Sequence, residues 1–376
     1  MHKRTRLWLT ALPLTLLGAC EQSTPTDLAP HSLALSSARP SGNATPTSAV
    51  IATGLMNPRG IAFSPDGGLY VAEAGTGGTT STVGQCVQDP NPSKSGPTGR
   101  ISRIDAQGHA TAVVSGLPSS INSLGSVFGI ADLAFVGPKL YGLLDAGCGH
   151  GVPNIPASVI QVANGNWSIV ANLSAWVAAN PVAHFGADVE PDGDWYSMIA
   201  VGGVLFAVDA NGGQLVSIKP NPGIIERVVD ISATEGHVVP TAVVEHKGDL
   251  YVGNLQTFPA VSGASKIWNI TRNGAKSVAL TGFTTILGLE ADNKGNGYVL
   301  ESFTCPAAPL PCVPAPFAAG RGRVVRVAED GTRDVILAGL TFPTSLRFGP
   351  DGALYVSNKG YNQPPGSGEI IRISLQ

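Results

Sequence analysis

Residues 60–75 read GIAFSPDGGLYVAEAG: an apolar strand, a Pro-Asp-Gly turn, then a second strand containing Tyr70. Proline presets φ at the second turn position and glycine accepts positive φ, so the two strands are expected to fold back on each other. The unit returns as LAFVGPKLYGLLDAG (133–147), ADVEPDGDWYSMIA (187–200) and TAVVEHKGDLYVGN (241–254). It appears twice more, as LGLEADNKGNGYVLES (287–302) and SLRFGPDGALYVSN (345–358). Tyr70, Tyr141, Tyr196, Tyr251, Tyr298 and Tyr355 mark the copies at spacings of 71, 55, 55, 47 and 57 residues. Such periods point to repeat architecture, with the surplus over about 40–50 residues placed in loops.

Each copy is followed by a second alternating pair around an Xaa-Gly turn, as in GRISRIDAQGHATAVVSGL (99–117) and SVIQVANGNWSIVANL (158–173). The others are GVLFAVDANGGQLVSI (203–218), SKIWNITRNGAKSVALTGF (265–283) and GRVVRVAEDGTRDVILAGL (322–340). Two hairpins per repeat make a four-stranded meander, a to d. The sixth second pair, GEIIRISLQ (368–376), stops after strand c. Its missing strand d lies at the other end, where SAVIATGLMNPRG (48–60) matches RDVILAGLTFPTS (333–345). The expected fold is therefore all-β, a six-bladed β-propeller over residues 48–376, its last blade closed by the N-terminal strand 48–55. Ring closure leaves short, protected sheet edges.

In such a meander the b–c loops lie on the face where strand a starts. The long irregular segments fall there, at 74–98, 146–157, 255–264, 302–321 and 359–367. Loops grafted on one face of a rigid scaffold carry function. Glu73, Asp145, Asn254, Glu301 and Asn358 stand at strand-b ends on that face. Arg59, Asp132, His184, Asp188 and Thr344 stand near the starts of strand a. Two readings apply to this set. The side chains cap strand ends and bond loop backbone, or they form a ligand-binding surface in which Glu73, Asp188 and Glu301 supply oxygens to Ca²⁺, which takes six to eight. Blade 3 breaks the series, with Ala200 in the place of an acid or amide. His150 and His184 are the candidate general bases, provided that the fold brings them together. The tyrosine series is expected in the core. G-x-S-x-G, P-loop, HExxH and helix-opening G-x-G-x-x-G motifs are absent from the sequence.

Charged residues are 13% of the chain, about half the usual share. Lys3, Arg4 and Arg6 precede an apolar run from Leu7 to Leu17 that ends in Leu17-Gly18-Ala19-Cys20. The run is too short to span a bilayer. It resembles a lipoprotein signal (1–19) with Cys20 as the lipidated residue, and several acyl chains anchor stably. Residues 20–47 are rich in Ser, Thr, Pro and Ala and read as a tether reaching about 30 Å. The expected location is extracytoplasmic, in the bacterial cell envelope, with membrane contact through the anchor alone. Without the three N-terminal cations, 20 positive side chains face 26 negative ones, so a nucleic-acid partner is not expected. Setting Cys20 aside leaves Cys86, Cys148, Cys305 and Cys312, an even number in an oxidising compartment. Cys305 with Cys312, and Cys86 with Cys148, is the expected pairing among three connectivities.

Three stretches resemble the ScyD/ScyE family of NHL-like propellers. They are NPRGIAFSPDGGLYVAEAGTGG (57–78), PTAVVEHKGDLYVGNLQTFP (240–259) and GFTTILGLEADNKGNGYVLES (282–302). LSAWVAANP (173–181) is similar to that family's short helical insertion before blade 3. The resemblance covers the whole propeller and implies the fold and export, but no reaction. It departs at Met198-Ile199-Ala200-Val201-Gly202-Gly203, where the family has an Asp-Ala-Gly-Gly-Asn-like strand end. The expected function is binding of a small molecule, glycan or envelope protein by a monomer's loop-rich face. The alternatives are a Ca²⁺-dependent lactonase or esterase, as gluconolactonase-like six-bladed enzymes suggest, and a scaffold without a small-molecule site.

Overall fold

The Pro-Asp-Gly turns form as the sequence requires. In the first, the Gly67 N–H donates to the Ser64 carbonyl at 2.8 Å, and Gly67 has φ +87°. The computed structural model describes residues 46–86, 93–186, 190–305 and 319–375, all within one compact unit, Ala44–Gln376. Cys20, the 20–45 segment, Asp188 and Cys312 lie outside the described residues.

The strands group into six antiparallel sheets. Strands a to d of blade 1 are Pro58–Phe63, Leu69–Glu73, Ser93–Ile104 and Ala110–Asn122. Those of blade 2 are Ile130–Val136, Lys139–Leu144, Ser158–Ala163 and Asn166–Asn172. Blade 3 consists of Trp195–Val201, Val204–Asp209, Gln214–Lys219 and Ile224–Asp230. Blade 4 follows with Pro240–His246, Asp249–Asn254, Ser265–Ile270 and Lys276–Phe283. Blade 5 has Ile286–Ala291, Gly297–Glu301, Gly322–Val327 and Arg333–Leu340. In blade 6, Ser345–Phe348, Leu354–Asn358 and Gly368–Ser374 are strands a to c, and Thr47–Leu55 supplies strand d. That closing strand pairs antiparallel with strand c, Thr47 opposite Ser374 and Leu55 opposite Gly368. Each strand a touches the strands a on both sides, blade 6 meeting blade 1, so the ring is closed.

Six apolar clusters fill the six blade–blade interfaces. The strand-b tyrosines belong to them, as expected. Tyr70 meets Phe135 of blade 2 edge-on at 5.1 Å, Tyr298 meets Phe348 of blade 6 at 5.2 Å, and Tyr355 meets Phe63 of blade 1 at 4.9 Å. Each aromatic pair adds about 0.5–1.5 kcal/mol beyond area burial.

Blade 3 corrects the sequence reading by one strand. Trp195–Val201 is strand a, so Tyr196 lies on the inner ring, and Phe206 takes the tyrosine's place on strand b. With Phe206 as the marker, the neighbouring spacings become 65 and 45 residues. The confusion has a physical cause. Pro191-Asp192-Gly193 imitates the a–b turn of blades 1 and 6, but here it ends the connection from blade 2. The actual a–b turn is Gly202-Gly203, both at positive φ. Asp209, not Ala200, therefore closes strand b, followed by Ala210-Asn211-Gly212-Gly213. The connection into blade 3 begins with a helix, Leu173–Ala179, where Asn172 Oδ1 accepts the Ala175 N–H.

In blades 1 to 5 the register of strand a against strand b shifts within its first residues. Bulges re-aim a strand locally, and this repeated one turns the start of each strand a at the mouth of the central channel. Cys86 and Cys148 form a disulfide across two long loops of this face, Cα atoms 4.9 Å apart. Cys305 is also disulfide-bonded. Its expected partner, Cys312, lies outside the described residues.

Candidate functional site

The strand-b ends act chiefly as braces. Glu73, fully buried, takes Arg100 of strand c on both oxygens (2.7 and 2.8 Å), the Ser102 hydroxyl, and the Met56 N–H of the incoming connection (2.7 Å). Glu301 does the same with Arg323 (2.5 Å) and the Thr284 N–H (2.6 Å). Asn254 bonds the Val238 carbonyl and the Lys266 N–H, and Asn358 bonds the Thr341 N–H and Glu369. Asp209 accepts from the N–H groups of Asp194 and Gly212 and from Gln214 Nε2. Each ties the loop entering its blade to strand c or to the following loop. Glu73 and Glu301 are thus engaged as braces, the first of the two readings given to this set.

Asp145 departs from this pattern. Its Oδ1 accepts the Trp195 N–H of blade 3 at 3.2 Å and lies 3.1 Å from His150 Nδ1. The His150 side chain is fully buried, stacks on Phe128 at 4.4 Å, and meets Glu190 through Nε2 at 3.2 Å. Burial alone would lower the imidazole pKa, but Asp145 and Glu190 outweigh it and raise it well above its ordinary value. Held between two carboxylates, His150 thus favours its charged form. Asp194 completes the group. One ligand atom each from Asp145, His150 and Asp194 lie within 4.8 Å of one another. Burial, with Asp145 and Glu190 close by, holds the Asp194 carboxyl well above the usual range, against the pull of His150. His184 does not join them: it is exposed on the 173–194 connection, and its N–H donates to Ser232.

Asp145 and Asp194 line a cavity of about 260 Å³ at the channel mouth. All six blades or their loops contribute to its wall, which is mostly apolar and aromatic, with Phe128, Trp195, Phe258 and Phe303. Arg59, Tyr196 and Tyr361 supply its other polar groups. Arg59 donates to the Val127 carbonyl at 2.8 Å, Tyr196 to the Thr344 carbonyl at 3.2 Å, and Tyr361 shares a 2.6 Å hydrogen bond with Ser302. Burial pushes the Tyr361 phenol up to about 12 and raises Tyr196 as well, so both remain neutral.

Further down the strands a, Arg347 spans the channel. Its guanidinium meets Asp132 of blade 2 and Glu290 of blade 5, each at 3.3 Å, and donates to the Ile61 and Met198 carbonyls. Asp132 also accepts the Met198 N–H at 2.7 Å. A Cβ at Gly60 would lie 1.9 Å from Asp132 Oδ1, so the carboxylate occupies space that only glycine leaves open. Asp132 therefore belongs to a structural ion cluster in the channel. The sequence reading missed Arg347, Glu290, Glu190 and Asp194. Arg347 and Glu290 had a visible signal, a charge within an apolar inner strand. Glu190 and Asp194 had none, because they sit in an irregular connection.

No known family model matches the chain, and no curated protein matches it. Solved structures do. A Bacteroides thetaiotaomicron protein of unknown function aligns at TM-score 0.56 and 11% identity, over 88% of this chain and 76% of that one. A putative oxidoreductase (glucose dehydrogenase) from Thermus thermophilus aligns at 0.54 and 14%, over 88% of this chain and all of that one. A luciferin-regenerating enzyme aligns at 0.50 and 10%, over 88% and 95%. Proteins described so differently share the architecture, and at these identities the likeness establishes the fold alone, a six-bladed β-propeller.

Proposed function

We propose that this chain is an exported, lipid-anchored propeller of the ScyD/ScyE type that binds a small organic molecule in the channel-mouth cavity. The observation that carries the reading is the cavity itself: an aromatic wall with a few directed polar groups, at the point where all six blades meet. Ligand sites are typically concave, mostly apolar and largely preformed. The Leu173–Ala179 helix and the Asp209-Ala210-Asn211-Gly212-Gly213 strand end support the family reading, since they fit the insertion and the acidic, glycine-rich end that the resemblance implies. Thr47 lies on the short-turn face, opposite the cavity. Ala131 lines the cavity and is half-buried. Ala131→Trp is expected to fill it and to abolish small-molecule binding in calorimetry while leaving the melting temperature within a few degrees. Undiminished binding by this variant would move the site elsewhere.

A hydrolase is the second reading, favoured by the grouping of Asp145, His150 and Asp194. The donor set is thin for Ca²⁺: Asp145 and Asp194 offer carboxylates from two neighbouring blades and His150 a nitrogen, where six to eight oxygens are needed. A lactone hydrolysis assay with and without EDTA tests this reading, and turnover sensitive to EDTA would favour it.

A further inference from the structure

We propose that the molecule bound in the cavity carries a protonated amine, which docks between Asp145 and Asp194. The inference rests on the cavity being the ligand site and names the chemistry that it selects. Asp145 is 6% exposed. Its Oδ1 serves Trp195 and His150, while Oδ2 accepts no hydrogen bond from any described residue. The Asp194 carboxylate accepts none from the described residues on either oxygen. Its backbone groups are taken by Asp209 and Ala210. Carboxylate oxygens withdrawn from water normally have donors, and buried charges are normally paired. Here Asp145 Oδ2 and both oxygens of the partly exposed Asp194 stand at the cavity wall with no donor among the described residues.

The local charges agree. Asp145, Glu190, Asp194 and Asp209 surround one cation, His150. Glu190 is engaged by His150, and Asp209 by Gln214 and two backbone N–H groups. The group has more carboxyls than cations, and its open side faces the cavity. An ammonium brings N–H donors for several oxygens at once, and the aromatic faces of Phe128 and Trp195 on the same wall suit an organic cation. A metal ion suits it less, because both ring nitrogens of His150 are occupied.

Matched probes test this on the full chain in detergent. Benzylamine, phenethylamine and tryptamine are titrated by calorimetry beside their hydroxyl counterparts, benzyl alcohol, 2-phenylethanol and tryptophol, and beside CaCl₂. At least one amine is expected to bind about 10- to 100-fold more tightly than its alcohol. Asp194→Asn should erase the preference, and Asp145→Asn serves if that variant does not fold. Equal binding of an amine and its alcohol overturns the amine inference and leaves the cavity reading standing. Failure of all six organic probes overturns both. Saturable Ca²⁺ binding that depends on Asp194 overturns the amine in favour of a metal.

Discussion

Glu73 ends strand b of blade 1, Asp145 follows the last residue of strand b in blade 2, and this one-residue offset gives them opposite uses. Glu73 meets an arginine on its own strand c, so its charge is neutralised within the blade. In blade 2 the corresponding place is held by Leu144, opposite Ser158, and Asp145 beyond it turns to His150 and the neighbouring blade. A residue-level prediction follows from the brace. Glu73→Ala removes the acceptor of the buried Met56 N–H and leaves Arg100 without its partner. It should cost about 2 kcal/mol, read as a shift in urea midpoint at constant slope, with ligand binding per folded molecule unchanged. A loss of binding without loss of stability would return Glu73 to the ligand site. Both positions look alike in sequence, since each is an acid ending an apolar strand. What separates them is the identity of residues 27 positions away in one case and 5 in the other, which no local pattern encodes.

At the scale of elements, the inner strands carry the burden of an ion cluster. Asp132 and Glu290 share one guanidinium, so the cluster is neutral only when one carboxyl holds a proton. Burial pushes Glu290 up to about 7, with Arg347 pulling the other way. The folded state therefore holds this proton more tightly than the unfolded chain, whose glutamate titrates at about 4.3. The corresponding stability is complete below that value and is lost as pH rises through about 7. The loss is on the order of 3 kcal/mol, and Glu290→Gln should remove that slope. Urea midpoints of both proteins between pH 4.5 and 8 check it, and parallel curves would refute it. Element by element, the sequence was legible where turn chemistry is local: Pro-Asp-Gly, Asp-Gly and Asn-Gly turns located most hairpins. It misled in blade 3, where Pro191-Asp192-Gly193 offers the same chemistry in a connection and Gly202-Gly203 makes the true turn. Strand periodicity cannot decide between such candidates, because a one-strand shift preserves alternation throughout.

At the scale of the molecule, the cavity exists because six inner strands converge on one axis, and they converge because the ring closes. Closure was readable from the sixth repeat, which lacks a strand that the N-terminal segment matches. The contents of the cavity were not, because its walls come from residues as distant as Arg59 and Tyr361. The same closure brings the chain into the domain on the short-turn face, at Thr47, and out again beside it, at Ser374. The most direct test is a cross-link between the two ends of the chain. Ala49 lies opposite Arg372 in the closing pair, where facing Cβ atoms are about 4.5–5.5 Å apart. The double variant Ala49→Cys/Arg372→Cys, oxidised at low protein concentration, should form an intramolecular disulfide in near-quantitative yield. It should then migrate faster than either single variant on a non-reducing gel and unfold at higher urea. Intermolecular dimers alone, or two thiols that remain free, would contradict the closed ring and the cavity that depends on it.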